Sequence, residues 1–423
     1  MIITELQQLY ATHPNVEGMC KLLKDSSVRH LYCSGLCASA ASLFSSVLVQ
    51  RAECPFVFIL GDLEEAGYFY HDLTQILGTG QVLFFPSSFR RAIKYGQKDA
   101  ANEILRTEVL SRLQKGEEGL CVVTYPDALA EKVVSRKELG DKTLKLHAGE
   151  KVDMDFVTEV LRSYGFEYVD YVYEPGQYAV RGSIIDVFSF SSEFPFRIDF
   201  FGDEVESIRT FEVESQLSKE KKEEIVIVPD LSRSLEQGGN GGMVSFLDFL
   251  RPDTLLAMRD FLWLRERIQV VHDESLTAQA IAACEAEENG AISLEGKLID
   301  GGEFTLRALD FRRMEFGTKP TGTPDATVAF STVAQPIFHK NFDLVAESFR
   351  DYLSRNYTLY ICSDSLKQTD RIRAIFEDRG DNISFTPVER TLHEGFADDT
   401  LRLCIFTDHQ LFDRFHKYNL KSG

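Results

Sequence analysis

The sequence predicts an α/β protein: a parallel sheet covered by helices, interrupted by a compact α+β insert and followed by a small separate α/β unit. Three observations carry that expectation. From about residue 28 to 125, short apolar runs alternate with amphipathic stretches, as strands buried between two helical layers do. From about 135 to 222 the pattern turns aromatic-rich and alternates apolar with polar at every second residue, which marks half-buried strands. Beyond residue 333 the first pattern returns.

Taken in order, HLYCSG reads as a strand entering a helix, and PFVFILGD precedes the helix LEEAGYFYHDLTQILG. VLFFPS then precedes AANEILRTEVLSRLQKG, and LCVVTYP closes the set, so residues 1–134 form the first part of the large domain. The insert, 135–222, holds one helix, DMDFVTEVLRSYG, and then strands from FEYVDYVYEPGQYAVRGSIIDVFSF to FRIDFFGDEVESIRTFEV. Gly202 and Asp203 suit a hairpin turn between the last two strands. SKEKKEE reads as a solvated charged stretch, and GGNGG at 238–242 as a flexible loop. TLLAMRDFLWLRERIQVV resumes the strand-then-helix order, so 223–325 returns to the first sheet, with Trp263 on its apolar stripe as a core residue. GTKPTGTPDA at 317–326 reads as a linker. The unit at 333–423 alternates the helices FDLVAESFRDYLSRN and SLKQTDRIRAIFEDRG with the strands YTLYICSD, ISFTP and LRLCIFTD, and carries no legible chemistry.

Composition sets bounds. A chain of 423 residues exceeds one core, at ~100–200 residues per domain. Its net charge of -20 disfavours a broad grip on nucleic acid, which needs clustered cations. The local basic run RRAIKYGQK (Arg90, Arg91, Lys94, Lys98) could touch DNA, but without an aromatic stacking platform it reads better as a solvated loop. No apolar stretch reaches the ~20 residues a membrane helix needs, and MIITELQQLY lacks the features of a secretory signal. The eight cysteines, several inside apolar runs, read as buried thiols of a cytoplasmic protein. Cys33 and Cys37 lack a second Cys/His pair and the nine histidines are dispersed, so no metal is expected. VHDE (271–274) sets a histidine beside carboxylates, but in a helix such neighbours point apart.

GLCASAAS lies between a strand and a helix, where a phosphate-binding loop G-x-x-x-x-G-K-[ST] would sit. Gly35 and Ser42 hold its two ends, while Ala40 replaces the second glycine and Ala41 the lysine. Such a loop works because backbone N–H groups wrap the phosphates and the lysine reaches their oxygens. Ala41 removes the cation, and Ala40 removes a glycine that lets the backbone bend in close. Arg259 and Asp260 follow TLLAM, where an ATPase would carry its magnesium-holding Asp-Glu pair. The loop is expected to be a relic that supports no hydrolysis.

YVYEPGQYAVRGSIIDVFSFSSEFPFRIDFFGDEVESIRTFEVESQ (171–216) resembles a long signature, E-x-G-x-[FY]-x-x-R-G, then [ILV]-[ILV]-D-[ILV]-F, then R-[IL]-[DE]-[FY]-F-x-D-E-[IV]-x-S-[IL]-R. It is shared by the excision-repair helicase UvrB and the transcription-repair coupling factors (the Mfd family). The preceding LKLHAGEKVDMDFVTEVLRSYGFEYVD fits the same pattern more loosely. UvrB needs its loop lysine and carries a DNA-clamping hairpin in its first domain, for which PSSFRRAIKYGQKDAANEI (86–104) leaves no room. The resemblance is therefore to the amino-terminal, UvrB-like region of the coupling factors, and it implies a degenerate RecA/helicase-like domain without catalysis. It also implies UvrA, the damage-scanning ATPase of excision repair, as partner, with Arg181, Arg197 and Phe201 as contact residues. RNA polymerase, DNA, ATP and magnesium would belong to translocase and polymerase-gripping domains beyond KYNLKSG, which makes the chain a fragment of a longer protein.

The alternation of FRIDFF agrees with such a face. Phe196, Ile198 and Phe200 share one side of a strand, while Arg197, Asp199 and Phe201 share the other. Tyr178 and Val180 face inward on the same logic, with Ala179 and Arg181 outward. A single exposed arginine is more often solvated or paired, and Asp186, Asp199, Asp203 and Glu204 are available for that. An active UvrB-type helicase and a purely structural intramolecular module remain the alternatives.

Overall fold

The computed structural model describes residues 1–88, 100–231, 242–285 and 296–420. The basic run with Arg90, Arg91, Lys94 and Lys98, and most of GGNGG, lie outside them. Seven strands form one parallel sheet in the spatial order Val82–Phe84, Cys121–Thr124, Phe56–Ile59, Leu255–Met258, Arg312–Glu315, His30–Ser34, Ala326–Ala329. Every residue of Phe56–Ile59, Cys121–Thr124 and Leu255–Met258 is buried, so both faces of the sheet are covered. Strands from before and after the insert interleave in this one sheet. GTKPTGTPDA does not separate two units: it joins two strands of this sheet, Arg312–Glu315 and Ala326–Ala329. Asp325 pins it there by accepting the backbone N–H groups of Arg29 and His30 at 2.8 and 2.9 Å.

The insert is shifted from its expected bounds. Leu144–His147 pairs antiparallel with Glu224–Ile227, closing the insert on itself, whereas Leu139 just before it belongs to the core of the large domain. Its six-stranded sheet runs Ser218–Lys222, Glu204–Phe211, Phe196–Phe201, Ile184–Val187, Gln177–Arg181, Glu167–Tyr168. Gly202, at φ +62°, makes the hairpin turn. The helix Met154–Ser163, capped by Asp153 accepting the Phe156 N–H at 2.8 Å, buries Val157 and Leu161 against Ile185, Ile198, Phe200 and Ile208. SKEKK is solvated as expected, but it is the edge strand of the sheet. Exposed charge on an edge discourages pairing with other chains.

The last unit has its own mixed five-stranded sheet, Thr332–Ala334, Phe396–Asp398, Leu403–Thr407, Thr358–Ser363, Thr386–Glu389, flanked by helices Phe342–Ser354 and Leu366–Asp378. Val345, Phe349, Ile361, Ile372 and Phe376 form its core. Its other face is continuous with the large domain: Tyr360, Val388, Phe396 and Ile405 pack in the same cluster as Leu6, Tyr10 and Phe44. The helix Ile3–Tyr10 makes that joint, and the Tyr10 hydroxyl donates to Asp398 at 3.1 Å.

In the helix Phe261–Glu285, Phe261, Leu264, Ile268 and Val271 are buried. Trp263 falls off that stripe and is 46% exposed, correcting its assignment to the core. His272 and Asp273 do meet, Nδ1 to Oδ1 at 3.0 Å, as an exposed local pair rather than a site. No helix among the described residues is long and apolar enough to cross a membrane.

Candidate functional site

The outer face of the insert assembles around one carboxylate. Phe196, Ile198 and Phe200 point into the core, Arg197 and Asp199 are half-buried, and Phe201 is 76% exposed. Strand register sets Arg197 opposite Asp186 and Ala179 on its other side, which brings Arg181 within reach two residues along. Asp186, buried to 1%, accepts Arg197 Nε at 2.9 Å and Nη2 at 3.1 Å on its two oxygens. It also accepts Arg181 Nη2 at 2.5 Å. Arg197 Nη1 donates to the Gln216 carbonyl at 2.9 Å, and its guanidinium lies 4.3 Å from the centre of the Phe211 ring. Arg181 stands 5.2 Å over Tyr171.

Both arginines are therefore paired as well as displayed. Arg181 keeps 42% of its side chain in water and Arg197 15%. Ala179 is on the outer side as expected, yet buried to 2%, because Val172, Phe188 and Phe211 cover it. Phe201 lies four residues along the strand from Arg197, about 13 Å at ~3.3 Å per residue. Exposed Tyr168, Tyr171 and Tyr173 widen the aromatic content of the insert's surface. Forked cations held rigid, with aromatic rings beside them, are what a protein partner's acidic and apolar groups can dock against.

The GLCASAAS loop is engaged by the chain itself. Gly35, at φ +77°, is required: a Cβ there would lie 1.9 Å from the Phe330 carbonyl oxygen. Cys37 N–H donates to Thr332 Oγ1 at 2.8 Å, and Thr332 Oγ1 donates to the Gly35 carbonyl at 2.5 Å. Ser39 N–H donates to the Glu394 carbonyl at 3.1 Å, and Glu394 N–H returns to Ser39 Oγ at 3.0 Å. Ala40, Ala41 and Ser42 are buried. The hydroxyls of Ser39 and Ser42 each lie 2.7 Å from Asp72 Oδ2, and the His393 N–H reaches Asp72 Oδ1 at 2.8 Å. Burial pushes the Asp72 carboxyl upward against these hydrogen bonds. The adjoining cleft, about 410 Å³, is lined by Asp62, Glu64, Glu65, Asp72 and Glu394 against Arg259 and His393. Arg259 is paired with Glu65, and Asp260 accepts the Trp263 N–H at 3.1 Å at the start of its helix. With five carboxylates against one arginine already paired and one histidine, such a cleft is poorly suited to a phosphate.

Beside the cleft the fold gathers histidines that are scattered in sequence. The ligand atoms of His393, His409 and His416 lie within 4.8 Å of one another, and the His71 ring centre is 4.8 Å from that of His416. No spacing motif signals this cluster. Cys20, Cys33, Cys37, Cys54, Cys121, Cys362 and Cys404 are free thiols.

The UvrB interaction domain family matches residues 144–232, from the first strand of the insert to just past its last. The chain is 29% identical over 196 residues to the transcription-repair-coupling factor of Escherichia coli (strain K12), covering 46% of this chain and 17% of that protein. With the same factor of Bacillus subtilis (strain 168) it shares 28% over 229 residues, 52% of this chain and 19% of the relative. With that of Staphylococcus aureus (strain bovine RF122 / ET3-1) it shares 21% over 463 residues, 92% of this chain and 38% of the relative. The chain thus spans well under half the length of these curated relatives.

Proposed function

We propose that this chain, which carries a UvrB interaction domain and is similar along nearly its whole length to transcription-repair-coupling factors, is a non-catalytic adaptor that recruits UvrA. The observation that carries the reading is the pair of arginines fixed on buried Asp186 within the matched domain, on the same sheet as exposed Phe201. Pre-organised arginine and aromatic anchors lower the ordering cost of association. RNA polymerase, DNA, ATP and magnesium would be handled by parts of the longer relatives that lie outside this chain.

The absence of catalysis is supported by the loop geometry. Two backbone N–H groups that would face phosphate are bonded to Thr332 and Glu394, no lysine stands at position 41, and buried Asp72 adds a carboxylate where an anion would have to sit. Calorimetric titration with ATP and magnesium should give no heat; micromolar binding that Ser42→Ala abolishes would overturn this part.

Recruitment is tested by titrating the chain with UvrA beside Arg197→Glu and Phe201→Ala. A desolvated anchor costs ~2 kcal/mol or more when truncated, roughly thirtyfold in affinity. Binding by the wild type with that loss in both folded variants is expected. Equal binding by the variants would remove these residues from the interface.

A further inference from the structure

We infer that His393, His409 and His416 form a zinc site in which three imidazoles clasp the segment after Leu411 to the rest of the last unit. The three residues come from a loop before the strand Phe396–Asp398, from the short helix Asp408–Leu411, and from the stretch that follows it. Their ligand atoms lie within 4.8 Å of one another. Tetrahedral zinc with Zn–N bonds of ~2.0–2.1 Å sets its ligand nitrogens about 3.3 Å apart. His393 Nδ1 and His416 Nδ1 are already 3.0 Å apart.

The tautomers of His393 and His409 suit ligation, and His416 Nδ1, which shares a proton with His393 Nδ1 at 3.0 Å, releases it when a metal binds. His409 Nε2 donates to the His393 carbonyl at 2.6 Å, which leaves Nδ1 with its lone pair. That Nδ1 is buried, makes no hydrogen bond of normal length, and has Asp408 Oδ1 at 3.8 Å. His393 Nε2 faces Glu394 Oε1 at 3.4 Å, so its N–H points to a carboxylate and its Nδ1 lone pair points to His416. An N–H held by a carbonyl or carboxylate behind each ring is the usual support of a metal-bound imidazole.

The surroundings hold the rings in place. Tyr68 stacks on His393 at 3.4 Å between ring centres, and its hydroxyl donates to the His416 carbonyl at 2.5 Å. His409 and His416 stack nearly parallel at 4.3 Å between ring centres, so metal binding requires one of these two rings to turn until both lone pairs meet the ion. His71 Nε2 is a second buried nitrogen without a hydrogen-bond partner among the described residues, its ring 4.8 Å from that of His416, but it is not among the three whose ligand atoms converge, so water would take the fourth position. Three imidazoles without thiolate suit zinc and its borderline neighbours rather than magnesium or calcium. The role is a structural clasp beside the cleft, not catalysis.

The test uses the full chain, free of any affinity tag and dialysed against chelator. Zinc is titrated in competition with a chromogenic chelator, and cobalt is substituted to record its visible absorption. The expected result is one zinc per chain, a cobalt spectrum of nitrogen ligation, and loss of the bound metal in His409→Ala and His416→Ala. Glu394→Gln should weaken binding by about 10–100-fold, as loss of a supporting hydrogen bond does. His409→Gln and His416→Gln, which keep ring-sized polar bulk, cover the case in which an alanine variant fails to fold. No zinc uptake by the wild type would overturn the assignment. So would equal uptake by the histidine variants, or a cobalt spectrum with thiolate charge-transfer bands.

Discussion

Asp186 serves two arginines with one carboxylate, and its removal should be felt twice. Asp186→Asn keeps the size and one acceptor but loses the charge; hydrogen bonds to charged groups contribute about 1.5–3 kcal/mol, so a loss of about 2 kcal/mol in urea unfolding is expected. The inward and outward sides of FRIDFF were legible because a strand has a period of two and one face must be buried. The anchoring role of Asp186 was not, since it depends on the register of three strands joined by turns. A second residue links shape to pH. His13 is fully buried, its Nδ1 accepts the Asn15 N–H at 3.0 Å to cap the helix Pro14–Lys24, and its Nε2 faces Asp398 at 3.6 Å, with the Tyr10 ring 5.7 Å away. Burial lowers its pKa, with Asp398 opposing. The unfolded chain then binds more protons below about pH 6.5, so this contribution to stability is full at neutral pH and lost as the pH falls. Urea midpoints at pH 7.5 and 5.5 should drop for the wild type and drop less for His13→Asn, which retains a capping acceptor.

At the scale of elements, Gly35 has a reason unrelated to phosphate. Its positive φ and the approach of the Phe330 backbone demand glycine whether or not a nucleotide ever binds. Gly35→Ala should cost about 1–3 kcal/mol or unfold the joint between the units, read as a lowered thermal midpoint. The strand-loop-helix order around it could be read from the sequence, because apolar runs and punctuation are local. That Thr332 and Glu394 fill the loop could not, because they lie 297 and 355 positions away in the chain. Trp263 went astray for a related reason. FLWLRERI is apolar on more than one side, and only the packed structure decides that the stripe through Phe261, Leu264 and Ile268 is the buried one.

For the whole molecule, the joint predicts cooperativity. The large domain and the last unit share one apolar cluster, and the buried Tyr10–Asp398 bond crosses between them. Scanning calorimetry should show them melting together; two resolved transitions for them would mean the shared core contributes little. The insert, with its own core of Ile185, Ile198, Phe200 and Ile208, is the one part expected to melt separately. The histidine cluster touches this scale too, since its three rings lie in the last unit while Tyr68 and His71 reach them from the large domain.

The joint between Tyr10 and Asp398 spans 388 positions of the chain. On a ribosome adding ~5–20 residues per second, the first helix therefore waits on the order of tens of seconds for the residues that will cover it. The insert faces no such delay, because its outer strands, Leu144–His147 and Glu224–Ile227, close on each other once residue 227 has emerged. The face with Arg181, Arg197 and Phe201 is thus complete while the frame that carries it is still open, and nascent chains stalled near residue 270 should already present it.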